Sequence, residues 1–275
     1  MIVLTHPGSA IKNTSWYQHI IYDRNDGVAK ITINRPEVKN ALSVRSNEEL
    51  FAALKDAESD DNIRVVIITG SGDSFCAGMD VKDAQKMTTQ SQTYVSRSEA
   101  ARESRRFMTR MRKPIIAAIN GYALGGGLEL AMYCDLRIAT KTALMGLVET
   151  SIGMVPGNGG TQRLPRLVGM GKAKEMIFLA KRITGEEAEK LGLVNRAIDQ
   201  NQFWNVVDEI TGSIKERAPL AIAYAKAAMN RVWESGLEDG LMFENYYSSL
   251  NYASEDREEG FRAFLEKRKP IWKFK

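Results

Sequence analysis

Histidine is almost missing from this chain. Its 275 residues contain two, His6 and His19, both near the N-terminus. That points away from a histidine-ligated metal centre and from a Ser-His-Asp triad, each of which needs an imidazole in the body of the fold. Cysteine is as scarce: Cys76 and Cys134 have no metal-ligand spacing and form no disulfide framework. Read singly, they are small buried hydrophobes. No apolar run approaches the roughly 18 residues of a membrane-spanning helix. The first fifteen residues, MIVLTHPGSAIKNTS, carry no basic segment followed by a long apolar one and are not arginine-rich. Neither a secretory nor a transit peptide is read there, and a cytoplasmic protein is the expectation. Charge of one sign does not dominate either. The net charge of +4 is mild, and the 44% hydrophobic and 26% charged fractions are those of an ordinary globular protein. Two basic clusters, Arg105, Arg106, Arg110, Arg112, Lys113 and Lys267, Arg268, Lys269, Lys273, Lys275, read first as solvated faces and second as phosphate contacts. What remains for chemistry is carboxylate.

Glycine and short apolar runs are what the chain does have. Residues 20–22 and 28–34 are strand-like and flank a hairpin turn containing Gly27; Pro36 ends the second strand. Ser43 offers an N-cap to an amphipathic helix over about 44–58. VVIIT (65–69) reads as a strand buried on both faces, and GSGDSFCAGMD (70–80) follows it as a glycine-rich loop, a common ligand position in α/β proteins. Residues 83–112 read as helical. IIAAI (115–119) is another buried strand, leading into NGYALGGGLELAM, in which three glycines open a helix. Strand, glycine loop and helix thus occur twice, which implies repeated βα-type units and an α/β fold. From about Lys172 onward the chain is helix-rich, with a soft boundary near 195–200. The division read is an N-terminal extension (1–17), a core carrying the site (18–198) and a helical C-terminal region (199–275).

The first N–H groups of a glycine-opened helix are unpaired and suit an anionic oxygen. Two such loops side by side would converge two donors on one carbonyl oxygen, and nearby carboxylates would exchange protons with a substrate. Neither loop has the pattern of an ATP or dinucleotide site. Taken singly, Glu129 complements a helix dipole, Glu149 is a surface carboxylate and Asp80 an N-cap.

Their order changes that reading. FCAGMD (75–80), NGYALGGGLELAMYCDLRIA (120–139) and GLVETSIGMVPGNGGTQRLPR (146–166), with NRPEVKNAL (34–42) and FLEKRKPIW (264–272), closely resemble the enoyl-CoA hydratase/isomerase, or crotonase, family over roughly residues 18–272. The resemblance implies a spiral of ββα repeats followed by a helical trimerisation region, in a homotrimer or a homohexamer built as a dimer of trimers. It implies an enoyl-CoA hydratase that adds water reversibly across the 2,3 double bond. The thioester oxygen would be held by the N–H groups of Met79 and Gly126, with Glu129 and Glu149 as the catalytic pair. Gly157 would lie near the catalytic water. Ala77, Met79, Asp80, Val81 and Lys82 would run along the CoA, with Lys267 near its phosphates. No metal and no permanently bound cofactor is implied; coenzyme A enters as part of the acyl-CoA substrate. The alternatives are a methylglutaconyl-CoA-type hydratase, an enoyl-CoA isomerase, or a crotonase-like binding protein without catalysis. Some members of the methylglutaconyl branch bind RNA through a lysine-rich helix. The corresponding residues 48–60 are acidic with only Lys55, so neither nucleic acid nor membrane is an expected partner. Residues 83–105 are expected to shape the acyl pocket.

Overall fold

The alternation of small and large apolar residues in VAKITI makes Val28–Ile33 (β2) a half-buried strand, with Ala29, Ile31 and Ile33 inward. It pairs antiparallel with Ile20–Asn25 (β1), and Asp26 and Gly27 close the hairpin with φ of 45° and 75°. Two residues at positive φ suit the right-handed twist of the flanking strands. The hairpin is tighter than expected, because β1 runs on through Asn25. In the computed structural model, residues 16–85 and 102–275 are described; most of the expected N-terminal extension and most of the expected pocket segment lie outside them.

Two sheets carry the fold. β1, β2, Val65–Gly70 (β3), Ile115–Ile119 (β5), Leu136–Thr140 (β7) and Arg196–Ile198 (β10) form a six-stranded sheet in that order, parallel after the hairpin. Ser74–Cys76 (β4), Tyr122–Leu124 (β6), Leu144–Gly146 (β8) and Ile183–Thr184 (β9) form a second, smaller sheet. In the successive pairs β3–β4, β5–β6 and β7–β8, the first strand joins the large sheet and the second joins the small one. That is the ββα repeat. β4, β6 and β8 are three residues each and lie inside glycine-rich stretches, so loop-like sequence hides them. Their pairing partners come from neighbouring repeats, which local sequence does not contain.

Helices cover the sheets. Val44–Ser59 (α1) starts with a reciprocal cap: the Ser43 hydroxyl accepts from Ser46 N–H at 3.0 Å, and Ser46 Oγ accepts from Ser43 N–H at 3.1 Å. Buried Glu49 on α1 accepts the N–H groups of Gln18, His19 and Ile20 and so anchors the start of β1. Val81–Gln85 (α2) and residues 102–110 (α3) follow β4; Gly126–Tyr133 (α4) follows β6. After β8 come Gly160–Val168 (α5), Met170–Phe178 (α6) and Gly185–Lys190 (α7). After β10 come Phe203–Lys215 (α8), Pro219–Arg231 (α9), Leu237–Tyr252 (α10) and Glu255–Leu265 (α11).

β3 shows why its sequence is apolar throughout. Val66 and Ile68 point into the core shared with α1 and the small sheet, while Val65 and Ile67 point to the other face, against Phe203 and Val207 of α8. The basic cluster around α3 is only in part the solvated face expected, since Arg106, Arg110 and Arg112 are exposed. Arg105 and Lys113 are buried, and Lys113 Nζ donates to the carbonyls of Ala57 and Asp60 while Arg112 pairs with Glu58 at 2.8 Å. At the C-terminus, Arg268 is tied to Glu259 at 2.6 Å.

Candidate active site

Met79, Gly126, Glu129 and Glu149 come together where β4, β6 and the following loops end. Gly78 has a φ of 100°, and a Cβ there would lie 2.8 Å from Leu124 O and 3.1 Å from Gly126 N. Only glycine lets the Ala77–Met79 backbone approach the start of α4 so closely. Gly127 serves the same contact from the other side: a Cβ on it would stand 2.1 Å from Cys76 O. These approaches bring two N–H groups near one another. A Cβ built on Gly126 would lie 3.6 Å from Met79 N. Among the described residues, neither the Met79 nor the Gly126 N–H has an acceptor, whereas Gly125 N–H is taken by Gly146 O at 2.8 Å. Two unpaired, preorganised donors at a helix N-terminus suit an oxygen that gains negative charge.

The carboxylates differ in their surroundings. Glu129, one turn into α4, is 1% exposed. Its Oε1 accepts N–H groups from Asn158 and Gly160, both at 2.8 Å. It does not fold back to complement its own helix dipole; it crosses to the loop between the Glu149–Ile152 3-10 turn and α5. Burial raises its pKa, opposed by the Gly160 and Asn158 N–H groups and by the positive charge of Arg105. Glu149 opens the 3-10 turn Glu149–Ile152 and is half-buried, not the surface carboxylate its local sequence suggests. Its Oε1 lies 3.2 Å from where a Cβ on Gly125 would be, beside the donor pair. Its Oε2 is buried without a hydrogen-bond partner among the described residues. Burial pushes its carboxyl up to about 7, with the negative charge of Glu129 adding to the rise. One carboxylate is therefore held by fixed donors, and the other is poised to keep a proton near neutral pH.

The remaining candidates are distributed as follows. Asp80 is buried; its Oδ1 accepts from the N–H groups of Lys82 and Asp83, and its Oδ2 pairs with Arg35 at 2.9 Å. Its side chain therefore holds the loop together, which is the N-cap reading, and leaves only its backbone for a ligand. Met79, Val81 and Lys82 line the exposed side of that loop next to half-buried Ala77. Gly157 is exposed, one residue before the Asn158 that binds Glu129. Lys267 is exposed at the end of α11, with a φ of 53°. Three contributors escaped the sequence reading: the N–H groups of Asn158 and Gly160, and the side chain of Arg105. The GNGG run was a signal for the first two, since glycine-rich backbone is what wraps a carboxylate. Nothing local marks Arg105. Among the described residues no cluster of His, Cys, Asp and Glu is placed to hold a metal ion, and no helix is long and apolar enough to cross a membrane.

Comparison with known proteins shows the family. The family model described as enoyl-CoA hydratase/isomerase matches residues 23–275. The chain is 39% identical to the short-chain-enoyl-CoA hydratase of Clostridium acetobutylicum, over 91% of this chain and 96% of that protein. It is 40% identical to the crotonyl-CoA hydratase of Syntrophomonas wolfei, over 92% of this chain and 97% of that protein. Among solved structures, an enoyl-CoA hydratase from Bacillus anthracis superposes with a TM-score of 0.89 at 39% identity, covering 94% of this chain and all of the other. With the repeats, the paired donors and the two glutamates in the same chain, this protein belongs to the enoyl-CoA hydratase/isomerase family.

Proposed function

We propose that the protein is an enoyl-CoA hydratase that adds water reversibly across the 2,3 double bond of an acyl-CoA thioester. The observation that carries this reading is the pair of unpaired N–H groups, Met79 and Gly126, set beside two carboxylates in unlike surroundings. The thioester oxygen accepts from both N–H groups. Glu129, oriented by the Asn158 and Gly160 N–H groups, takes a proton from water as the water oxygen bonds to the β-carbon. The electrons of the double bond move toward the thioester oxygen, where the donor pair stabilises the developing charge. Glu149, protonated through its raised pKa, delivers its proton to the α-carbon. Exchange with solvent returns both carboxyls to their starting states. No redox step occurs, so no cofactor is needed beyond the CoA of the substrate.

The loop through Ala77, Val81 and Lys82 is placed along the CoA in this reading, with Gly157 near the attacking water and Lys267 near the phosphates. The exposed apolar faces of the C-terminal helices are placed in a homotrimer or a dimer of trimers, and the protein in the cytoplasm. Division at 198/199 into a core and a helical region belongs to the same reading. The test is hydration of crotonyl-CoA, followed by loss of the enoyl-thioester absorbance. Turnover is expected, and Glu129→Gln and Glu149→Gln should each lower kcat by ~10²–10⁴ while still showing a cooperative melt. Absence of turnover in the parent overturns the hydratase reading; near-parental rates in either variant overturn the two-carboxylate mechanism.

A further inference from the structure

The Met79 N–H faces α4 because its loop is held from the opposite side. Met79 forms an isolated parallel bridge with Leu42: Leu42 N–H donates to Gly78 O at 2.7 Å, and Asp80 N–H donates to Leu42 O at 3.1 Å. Leu42 makes both bonds of the pair, so the Met79 N–H points away from it, toward Gly126. The turn that carries Leu42 is itself fixed. Asn40 is fully buried, and its Nδ2 donates to Ser71 O at 2.8 Å and Ser74 O at 2.7 Å, while its Oδ1 accepts from Arg35 N–H at 2.9 Å.

One side chain joins the two halves of this bridge. Arg35 Nη1 donates to Ala41 O at 2.7 Å, and its Nη2 lies 2.9 Å from Asp80 Oδ2. Ala41 precedes Leu42 and Asp80 follows Met79, so the guanidinium spans the bridge at its flanks. Asp80 uses its other oxygen on the N–H groups of Lys82 and Asp83, at 3.1 and 3.4 Å. Burial raises the Asp80 carboxyl, but Arg35 and those N–H groups outweigh it and hold the group below the usual carboxylate range. Both partners are therefore charged at neutral pH. A rigid fork with donors on two nitrogens suits this double contact, which the point charge of a lysine does not reproduce. The contacts are with the loop and not with Glu129, Glu149 or Gly126, so any effect on the reaction passes through the backbone.

Resting on the hydratase reading above, we propose that Arg35 is a positioning residue for the oxyanion donors. By tying Ala41 O to the Asp80 carboxylate, it keeps the Leu42–Met79 bridge closed and the Met79 N–H aimed at the thioester oxygen. Such donors act by being in place before charge develops, so loosening the brace weakens transition-state stabilisation more than substrate binding.

The test reads donor geometry as well as rate on the full chain, so that the two readings fail separately. Infrared difference spectra follow the carbonyl stretch of bound butanoyl-CoA, isotope-labelled at its carbonyl carbon; this saturated thioester cannot be hydrated. The parent is expected to lower that frequency relative to the free ligand in water, and Arg35→Met should lower it less. With crotonyl-CoA, Arg35→Met should cut kcat by ~10-fold or more, approaching the ~10²–10³ of a lost donor, with KM within a few-fold of the parent. Removing Arg35 alone leaves the buried Asp80 carboxylate without its counterion. A second variant, Arg35→Met with Asp80→Asn, keeps an acceptor for the Lys82 and Asp83 N–H groups and leaves no lone charge. It should show the same weakened shift and the same fall in kcat, with a cooperative melt confirming that it folds. A parental carbonyl shift in either variant, no shift in the parent, or a loss that falls on KM alone overturns the positioning role of Arg35. An Arg35-dependent shift in a protein that leaves crotonyl-CoA unhydrated keeps that role standing and overturns the hydratase reading instead.

Discussion

At the scale of single residues, the site depends on two glutamates being made chemically unlike. Glu129 has two backbone N–H groups on one oxygen; Glu149 has a buried oxygen with no partner. The Glu149 carboxyl is raised to about 7 by burial and then by the Glu129 charge. Hydration needs it protonated, so kcat/KM for crotonyl-CoA is expected to fall as pH rises through about 7; the pair carries one proton in both directions and the reaction takes up none, so kcat/KM for dehydration of the 3-hydroxyacyl-CoA should fall in parallel. A kcat/KM that stays flat or rises across that range would contradict the assignment of the acid. Stability carries the same sign. The unfolded side chain loses its proton near pH 4.3 or so, and the folded one keeps it to about 7, so the native state binds more protons in between and stability falls with rising pH across that window. Glu149→Gln cannot ionise. Its melting temperature should therefore gain on the parent more at pH 8 than at pH 4, and equal differences at the two pH values would show that the group is not shifted.

Elements place these residues through backbone contacts that tolerate no side chain. The Gly78 position is the clearest case, since its φ of 100° and the nearby Leu124 O and Gly126 N leave no room for a Cβ. Gly78→Ala is expected to pull the Met79 N–H away from the Gly126 N–H and lower kcat by ~10²–10³, the usual effect of losing one oxyanion donor. Gly153→Ala provides the comparison: its φ is 74°, but a Cβ there meets nothing within 4 Å. That variant should lose about 1 kcal/mol of stability from backbone strain with kcat within a few-fold of the parent. Equal kinetic damage in both would mean that strain, not donor geometry, controls the rate. Helices were legible at this scale because their signals are local: Ser43 caps α1, and Thr184 caps α7 with Glu187 returning to the Thr184 N–H at 2.7 Å. β4, β6 and β8 were not legible as strands, because three residues carry too little periodicity and their partners lie one repeat away.

For the whole molecule, the C-terminal helices leave a surface that a single chain does not cover. α10 has no buried residue; Leu237, Met242 and Tyr246 are 77%, 72% and 58% exposed, and Phe178, Leu179 and Phe264 are exposed as well. Exposed apolar area of this kind favours self-association. Light scattering should give the mass of a trimer or hexamer, and a Met242→Glu, Tyr246→Glu double variant should shift it toward the monomer; an unchanged mass would place the interface elsewhere. Part of the chemistry was legible in the chain alone: histidine confined to His6 and His19 turned the reading toward carboxylates, and three motifs in register, by their resemblance to the enoyl-CoA hydratase/isomerase family, implied the class of reaction. Those are local features, carried by residue type and order. The tertiary structure decided what depends on distance between segments far apart in the chain. It set the Met79 and Gly126 N–H groups side by side, turned Glu129 to the 158–160 loop and left Glu149 Oε2 unpaired. It also buried Arg105, which in sequence is one of a run of basic residues, because burial and unmet hydrogen bonds exist only once the neighbouring elements have packed.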